Sequence, residues 1–205
     1  MTTLAEIPSR AKGLKAGTTT AHDRLDQRIM AAAPFADRAR YSRFLAVQHA
    51  FHRDIDALYD SQDLAGLLPD LPGRRRLPLI VEDLRDLGIE ASAGEGIPHF
   101  SGAFDMPEAL GWLYVAEGSN LGAAFLLKEA AKLGLDENFG ARHLAPAPEG
   151  RGLSWRTFTA ALDAAPLSAS DEQKTIVAAT AAFTRVQALV ESFMPMDVET
   201  SEPAA

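Results

Sequence analysis

Five histidines and a pair of glycines four residues apart hold most of the chemistry this sequence can offer. His22 is followed by Leu25 and Ile29 at i+3 and i+7, which turns its imidazole inward with the apolar stripe of a first helix. A lone inward histidine is most often a satisfied core residue. Lys15 stands seven residues earlier on the same face, about 10 Å up the axis if the helix begins that early. A neutral imidazole with a cation at that distance suits a ligand having a metal centre and a remote carboxylate.

His49 and His52, at i and i+3, invite a metal reading. Carboxylate di-iron bundles use Glu-x-x-His pairs, and no histidine here has a glutamate three residues before it. Gln48 precedes His52 by four, making a polar patch beside Phe51 and Ile55. Two readings stay open for that patch: a solvated helix edge, or a buried hydrogen-bond network that supplies protons to a pocket. Arg74-Arg75-Arg76 is a basic run in an acidic chain. It reads as a solvated turn or as a docking point for an acidic redox partner.

The glycines lie in Gly118-Ser119-Asn120-Leu121-Gly122, inside one long helix expected from Asp105 to Leu133. Asp105, Pro107 and Glu108 form a capping start. Each interior glycine costs about 1 kcal/mol against alanine, so the pair gives up about 2 kcal/mol. Residues four apart share a face, and Gly111 lies near the same stripe. Bare backbone along one side admits something flat or bulky.

The elements that must position these groups are helices. A first is expected over 18–33, ending before Pro34, and a second from Asp37 to about Tyr59. Short helices fit 62–68 and 78–87, and the glycine-rich stretch 91–102 reads as a loop. Beyond the glycine-bearing helix come a short helical piece over 137–143, a loop over 146–152, and helices at 155–163 and 171–193, the last capped by Ser170 with Gln173 three on. No alternating strand pattern or internal repeat occurs, so the fold class is all-α. The expected organisation is one multihelical domain over 14–194, between a flexible arm at 1–13 and a disordered tail at 195–205.

Composition narrows the function classes. A chain of 205 residues buries a substantial single core. The absence of cysteine removes disulfides, thiolate metal sites and cysteine nucleophiles. A net charge of −8 argues against nucleic-acid binding. Residues 1–9 lack the apolar core of a secretory signal and no apolar run approaches a membrane span, which leads to the expectation of a cytoplasmic protein with no membrane partner. No Gly-x-Ser-x-Gly elbow, phosphate loop or dinucleotide fingerprint is present.

With Thr20-Ala21-His22-Asp23-Arg24-Leu25-Asp26, the block Ala109-Leu110-Gly111-Trp112-Leu113-Tyr114-Val115-Ala116-Glu117-Gly118-Ser119-Asn120-Leu121-Gly122-Ala123-Ala124-Phe125-Leu126, and Leu135 through Leu144, the chain resembles the bacterial heme oxygenases. The resemblance implies that heme is both cofactor and substrate, consumed with molecular oxygen and external electrons to biliverdin, carbon monoxide and ferrous iron. It implies His22 as proximal ligand of the heme iron, and Gly118, Ser119 and Gly122 as the distal helix above it. Lys15 and Tyr114 match positions that hold heme propionates in one bacterial subgroup, and Gln48 and His52 match its distal water network. A related subgroup that opens heme at the β and δ positions has asparagine where Lys15 stands, phenylalanine at Tyr114, and lysine where this chain has Glu129. Glu129 would repel a propionate, so the resemblance implies the α isomer.

It further implies a monomer that takes electrons from a soluble ferredoxin- or flavodoxin-type reductase system, with a bilin-binding photoreceptor as a second partner class. Iron release and chromophore supply require the same chemistry. Three other readings compete: a heme carrier or sensor without turnover, a thiamin-salvage hydrolase, whose cysteine nucleophile this chain lacks, and a helical module in which Gly118 and Gly122 merely let two helices approach.

Overall fold

A computed structural model describes residues 9–90 and 96–195. Among them are seven α-helices: α1 Arg10–Ala31, α2 Arg38–Ile55, α3 Gln62–Leu67, α4 Leu77–Asp86, α5 Met106–Ala131, α6 Arg151–Ala164 and α7 Ala169–Phe193. Turns of 3₁₀ helix at Asp56–Asp60, Pro72–Arg74 and Arg142–Leu144 join them. No strand occurs among the described residues, only isolated bridges around Asp136. The all-α expectation holds.

The first helix starts eight residues earlier than expected. Ser9 caps it by accepting from the Lys12 amide at 3.3 Å, so residues 10–13 belong to the folded body and not to an arm. Residues 1–8 and 196–205, where the rest of the arm and nearly all of the tail were expected, lie outside the described residues, as do 91–95 of the 91–102 loop. Asp37 caps α2 as expected, accepting from Arg40 N at 2.8 Å. Asp105 makes no side-chain capping bond to α5; Pro107 alone marks that start.

At α7 the cap is Ser168 rather than Ser170. Ser168 Oγ accepts from Asp171 N at 3.2 Å, and the Asp171 carboxylate accepts from Ser168 N at 3.3 Å. Two overlapping serine motifs compete here, and the one with a carboxylate at the third position closes both bonds. The helical piece expected over 137–143 is instead a tight turn followed by the 3₁₀ segment. Gly134 and Gly140 have φ of +73° and +72°, a left-handed conformation that ends helical continuation.

Helix α7 is the spine. It packs against α1, α2 and α5, while α4 lies on α2 and α6 bridges α1 and α5. By length and composition α7 is apolar enough to cross a membrane, contrary to the sequence expectation. Packing on three helices buries part of that apolar surface. Three parallel helices follow from the side-chain register. Arg10 pairs with Glu172 at 2.7 Å, Ile176 crowds Gly17, and Arg28 donates to the Met194 carbonyl at 2.6 Å. On α5, Lys174 reaches Asp105 at 3.8 Å, and Gly111 sits against Thr175 and Ala178. Thus α1 and α5 run in the same direction on either side of α7.

Candidate functional site

Although α1 and α5 share α6 and α7 as partners, they are not packed closely on one another. They approach each other where Tyr114 lies beside Thr18, with the Trp155 ring 5.7 Å from that of Tyr114. Tyr114 is buried, and its pKa is raised by that burial. One helical turn further along each helix stand His22 and Gly118. At matching positions along the two parallel helices, α1 therefore carries an imidazole and α5 carries uncovered main chain.

His22 is the first correction. Its side chain is 63% exposed and does not point into the core. Leu14, Thr18 and Leu25 make the buried stripe of α1, and His22 borders it on the side shared with exposed Lys15. The ring lies edge-on to Phe183 at 6.0 Å, with Nδ1 3.3 Å from Asp23 Oδ1. An imidazole buttressed by one ring and otherwise open is available as a ligand.

Opposite it, a Cβ at Gly122 would meet nothing within 4 Å, and one at Gly118 only the Trp155 ring, at 3.9 Å. Ser119 bonds back to the Ala116 carbonyl at 2.7 Å and offers that wall no free donor. Leu121 and Phe125 add 42% and 51% exposed apolar side chains on the same half of α5, and Met30 is 45% exposed on α1. Apolar area left uncovered beside bare backbone fits a flat, largely apolar ligand. The macrocycle implied by the sequence fits these residues: an axial nitrogen on one wall, close backbone approach on the other, and a cation two turns away at Lys15. Gly111 does not belong to this wall. A Cβ there would lie 2.5 Å from the Thr175 carbonyl, so this glycine serves helix packing.

Gln48 is half-buried and His52 is 3% exposed, which decides against the solvated-edge reading of that patch. Burial drives the His52 pKa down to about 3, and nearby His143, Arg76 and His49 lower it further. The ring is therefore a neutral donor-acceptor at any physiological pH. Neither residue lies within 4 Å of a Cβ placed on Gly118 or Gly122. The structure instead groups His52 with residues that the sequence did not single out as a site. Buried His143 holds Asp83 Oδ2 at 2.8 Å through Nδ1, and Asp83 also accepts from the His143 and Arg142 amides. His52 Nδ1, Tyr59 Oη, Arg76 Nε, Trp112 Nε1, Glu117 Oε1 and His143 Nε2 are all buried with no protein partner. Polar atoms so placed are the kind that ordered water satisfies in protein interiors.

The arginine run is the second correction. Arg74 and Arg76 are 6% and 9% exposed. Arg74 pairs with buried Glu117 at 2.7 Å and lies over the Phe158 ring, and Arg75 is bound by Asp56 and Asp60. The run is neither a solvated turn nor a docking patch. Its only sequence signal was three cations beside a helix start in an acidic chain, which periodicity does not resolve into inside and outside.

The model of one family, described as Heme oxygenase, matches residues 9–192. The chain is 42% identical over 182 residues to heme oxygenase PigA of Pseudomonas aeruginosa, covering 89% of this chain and 91% of that protein. The crystal structure of NO- and CO-bound heme oxygenase from Neisseria meningitidis superposes with a TM-score of 0.86 at 38% identity, over 97% of this chain and 98% of that one. Heme oxygenase from Leptospira interrogans matches with a TM-score of 0.71 at 18% identity, over 90% and 99% of the two chains, a likeness of fold.

Proposed function

From the premise that this chain belongs to the heme oxygenase family and is a heme oxygenase, we propose that it opens heme at the α-meso carbon, in the cleft between α1 and α5. The observation that carries the reading is the pairing of His22 with the bare Gly118–Gly122 wall, one turn beyond the Thr18–Tyr114 contact. Heme is the substrate, and molecular oxygen with electrons from an external donor completes the stoichiometry to biliverdin, carbon monoxide and ferrous iron.

His22 would hold the heme iron through its imidazole, and the edge-on contact with Phe183 supports that ring from the side. Gly118 and Gly122 leave room for the macrocycle and for whatever binds its far face, so that steric direction comes from main chain rather than a side chain. Ser119, turned onto its own helix, keeps a hydroxyl proton off that wall. No imidazole or carboxylate stands within 4 Å of a Cβ at Gly118 or Gly122, so no strong acid is poised there to divert the reaction. Gln48 and His52 act at a distance: a neutral His52, with Tyr59, Arg76 and His143 near it, orders water and passes protons without carrying charge itself.

Lys15 is exposed two turns from His22 and is the cation available to a propionate. Tyr114 closes that end of the cleft through Thr18. Glu129 is engaged by Lys132 at 2.7 Å and puts a carboxylate on that part of α5, which would repel a propionate. These three placements support α seating. The electron donor in this reading is a soluble ferredoxin- or flavodoxin-type reductase system, the protein works as a cytoplasmic monomer, and its bilin is available to a photoreceptor.

Two experiments test the proposal. His22→Ala should lose the imidazole-ligated heme spectrum and most biliverdin formation; an unchanged spectrum rules out the ligand role. Lys15→Asn with Tyr114→Phe should release the heme to rotate and yield other isomers; chromatography showing pure α product from that variant contradicts the seating argument.

A further inference from the structure

Beside the face of α5 that carries Gly118, the helices α5 and α6 and the turn at Pro72–Arg74 line a small, open crevice. Glu117, Asn120 and Leu121 form its α5 wall, and Trp155 separates it from Gly118. Its charge pairing is unbalanced. Arg76 lines it and is 9% exposed; its side chain makes no direct hydrogen bond among the described residues, its Nε is buried without a partner, and Glu117 and Glu149 act on it by charge alone. Arg151, on the same lining, gives its two terminal nitrogens to the Asn120 and Leu144 carbonyls and pairs with no carboxylate.

Of the three acids on the lining, Glu117 and Glu149 offset part of the Arg76 charge, but none bonds its guanidinium directly. Glu117 already pairs with Arg74. Asp70 is exposed and packs over Gly73 of its own loop, and Glu149 is exposed at the mouth. Arg76 and Arg151 repel each other, and the pKa of each is lowered, with burial as the leading cause. Leaving a guanidinium N–H buried without an acceptor is costly, whereas the planar edge of an arginine matches two oxygens of one anion.

We propose that this crevice binds a small oxyanion, a carboxylate or phosphate, seated on the Arg76 guanidinium edge with Arg151 as second cation and Ser154 at its side. The site is separate from the heme cleft and does not depend on the seating argument. Its occupant neutralises the charge behind Glu117, the residue that precedes Gly118, and completes the polar region that Tyr59 and His52 share with Arg76.

The test is titration of the full-length heme-free chain with acetate and, separately, with inorganic phosphate, followed by the NMR signals of the Arg76 Nε–H and the Trp155 indole N–H. Both signals should shift saturably with one anion bound, and the tighter of the two anions identifies the preferred oxyanion. Chloride at the same concentration should leave the Arg76 signal in place. Arg76→Met should abolish the Trp155 shift, and Arg151→Met should weaken binding several-fold if the first variant does not fold. Glu149→Gln should tighten binding, since it removes an exposed carboxylate whose charge acts on Arg76 and competes with an anion. No saturable shift with either anion, equal response to chloride, or binding unchanged in both arginine variants would overturn the site.

Discussion

The two halves of α5 are one continuous helix with opposite environments. From Ala109 to Glu117 every residue is buried, whereas from Gly118 to Ala131 only Ala123 and Ala130 are. Each half contains glycine, and the same missing side chain does different things in them. Gly111 lets α7 come so close that a Cβ would sit 2.5 Å from the Thr175 carbonyl and 2.8 Å from Ala178 Cβ. Gly122 touches nothing. The first half therefore anchors the helix, and the second half is held out rigidly as a wall. A glycine in a helix is a statement about a neighbour only where a neighbour is present; elsewhere it leaves space for a ligand.

The largest effect that would break this contrast is on the open half. Gly118→Leu should fill the cleft opposite His22 and all but abolish biliverdin formation, while leaving the heme-free chain folded. Its Cβ would meet only Trp155 at an ordinary 3.9 Å, so the loss is one of space and not of stability. Thermal unfolding close to wild type together with lost turnover is the expected pair of measurements; retained turnover would move the substrate elsewhere.

Next comes the closed half. Gly111→Ala should destabilise by about 1–3 kcal/mol, the ordinary cost of forcing atoms into a packed core, because the obstructing atoms are the backbone of α7 rather than a flexible side chain. Denaturant unfolding measures it. A neutral or stabilising result would mean that α5 and α7 are further apart than the packing described above.

His52 gives an effect that is absent at neutral pH and appears only on acidification, from the buried region next to the anchored half. Its folded pKa is depressed to about 3 from an ordinary 6.5, chiefly by burial. The unfolded chain therefore binds a proton that the folded chain refuses over that interval. Stability from this group is complete above pH 6.5 and is lost as the pH falls toward 3, at about 1.4 kcal/mol per pH unit. Replacing it, as in His52→Gln, should remove one proton's worth of that slope. An unchanged slope would mean that the ring is charged or exposed in the fold.

The anchored half was the more legible part of the sequence. Periodicity and caps placed α2, α4 and α5 within a few residues, because burial imprints a spacing on the chain. It missed the start of α1, where Arg10 reads as a surface residue yet is clamped by Glu172 and by the Leu162 and Ala165 carbonyls, partners more than 150 positions away. The cleft was legible through Gly118 and Gly122, whose cost demanded a reason. Periodicity misplaced His22, since a residue facing a ligand cleft and one facing the core share the same apolar stripe. The polar interior, with Asp83, His143, Arg76 and Glu117, left no local pattern at all, because its pairings join α4, α5 and two turns far apart in the chain.

The smallest effect separates space kept for a ligand from space kept for a neighbour most cleanly. Gly122→Ala removes a helix-interior glycine at a position where the new methyl group meets nothing within 4 Å. Freed of any clash, the substitution should raise the stability of the heme-free chain by about 1 kcal/mol, the propensity difference between the two residues. The same methyl narrows the cleft by one carbon, so heme binding should weaken or the isomer ratio should move while the melting temperature rises. Opposite signs for stability and substrate handling at one residue are what a wall kept bare for a ligand requires. Were stability to fall instead, Gly122 would be packed against something, and the contrast between the two halves of α5 would collapse into ordinary helix packing along its whole length.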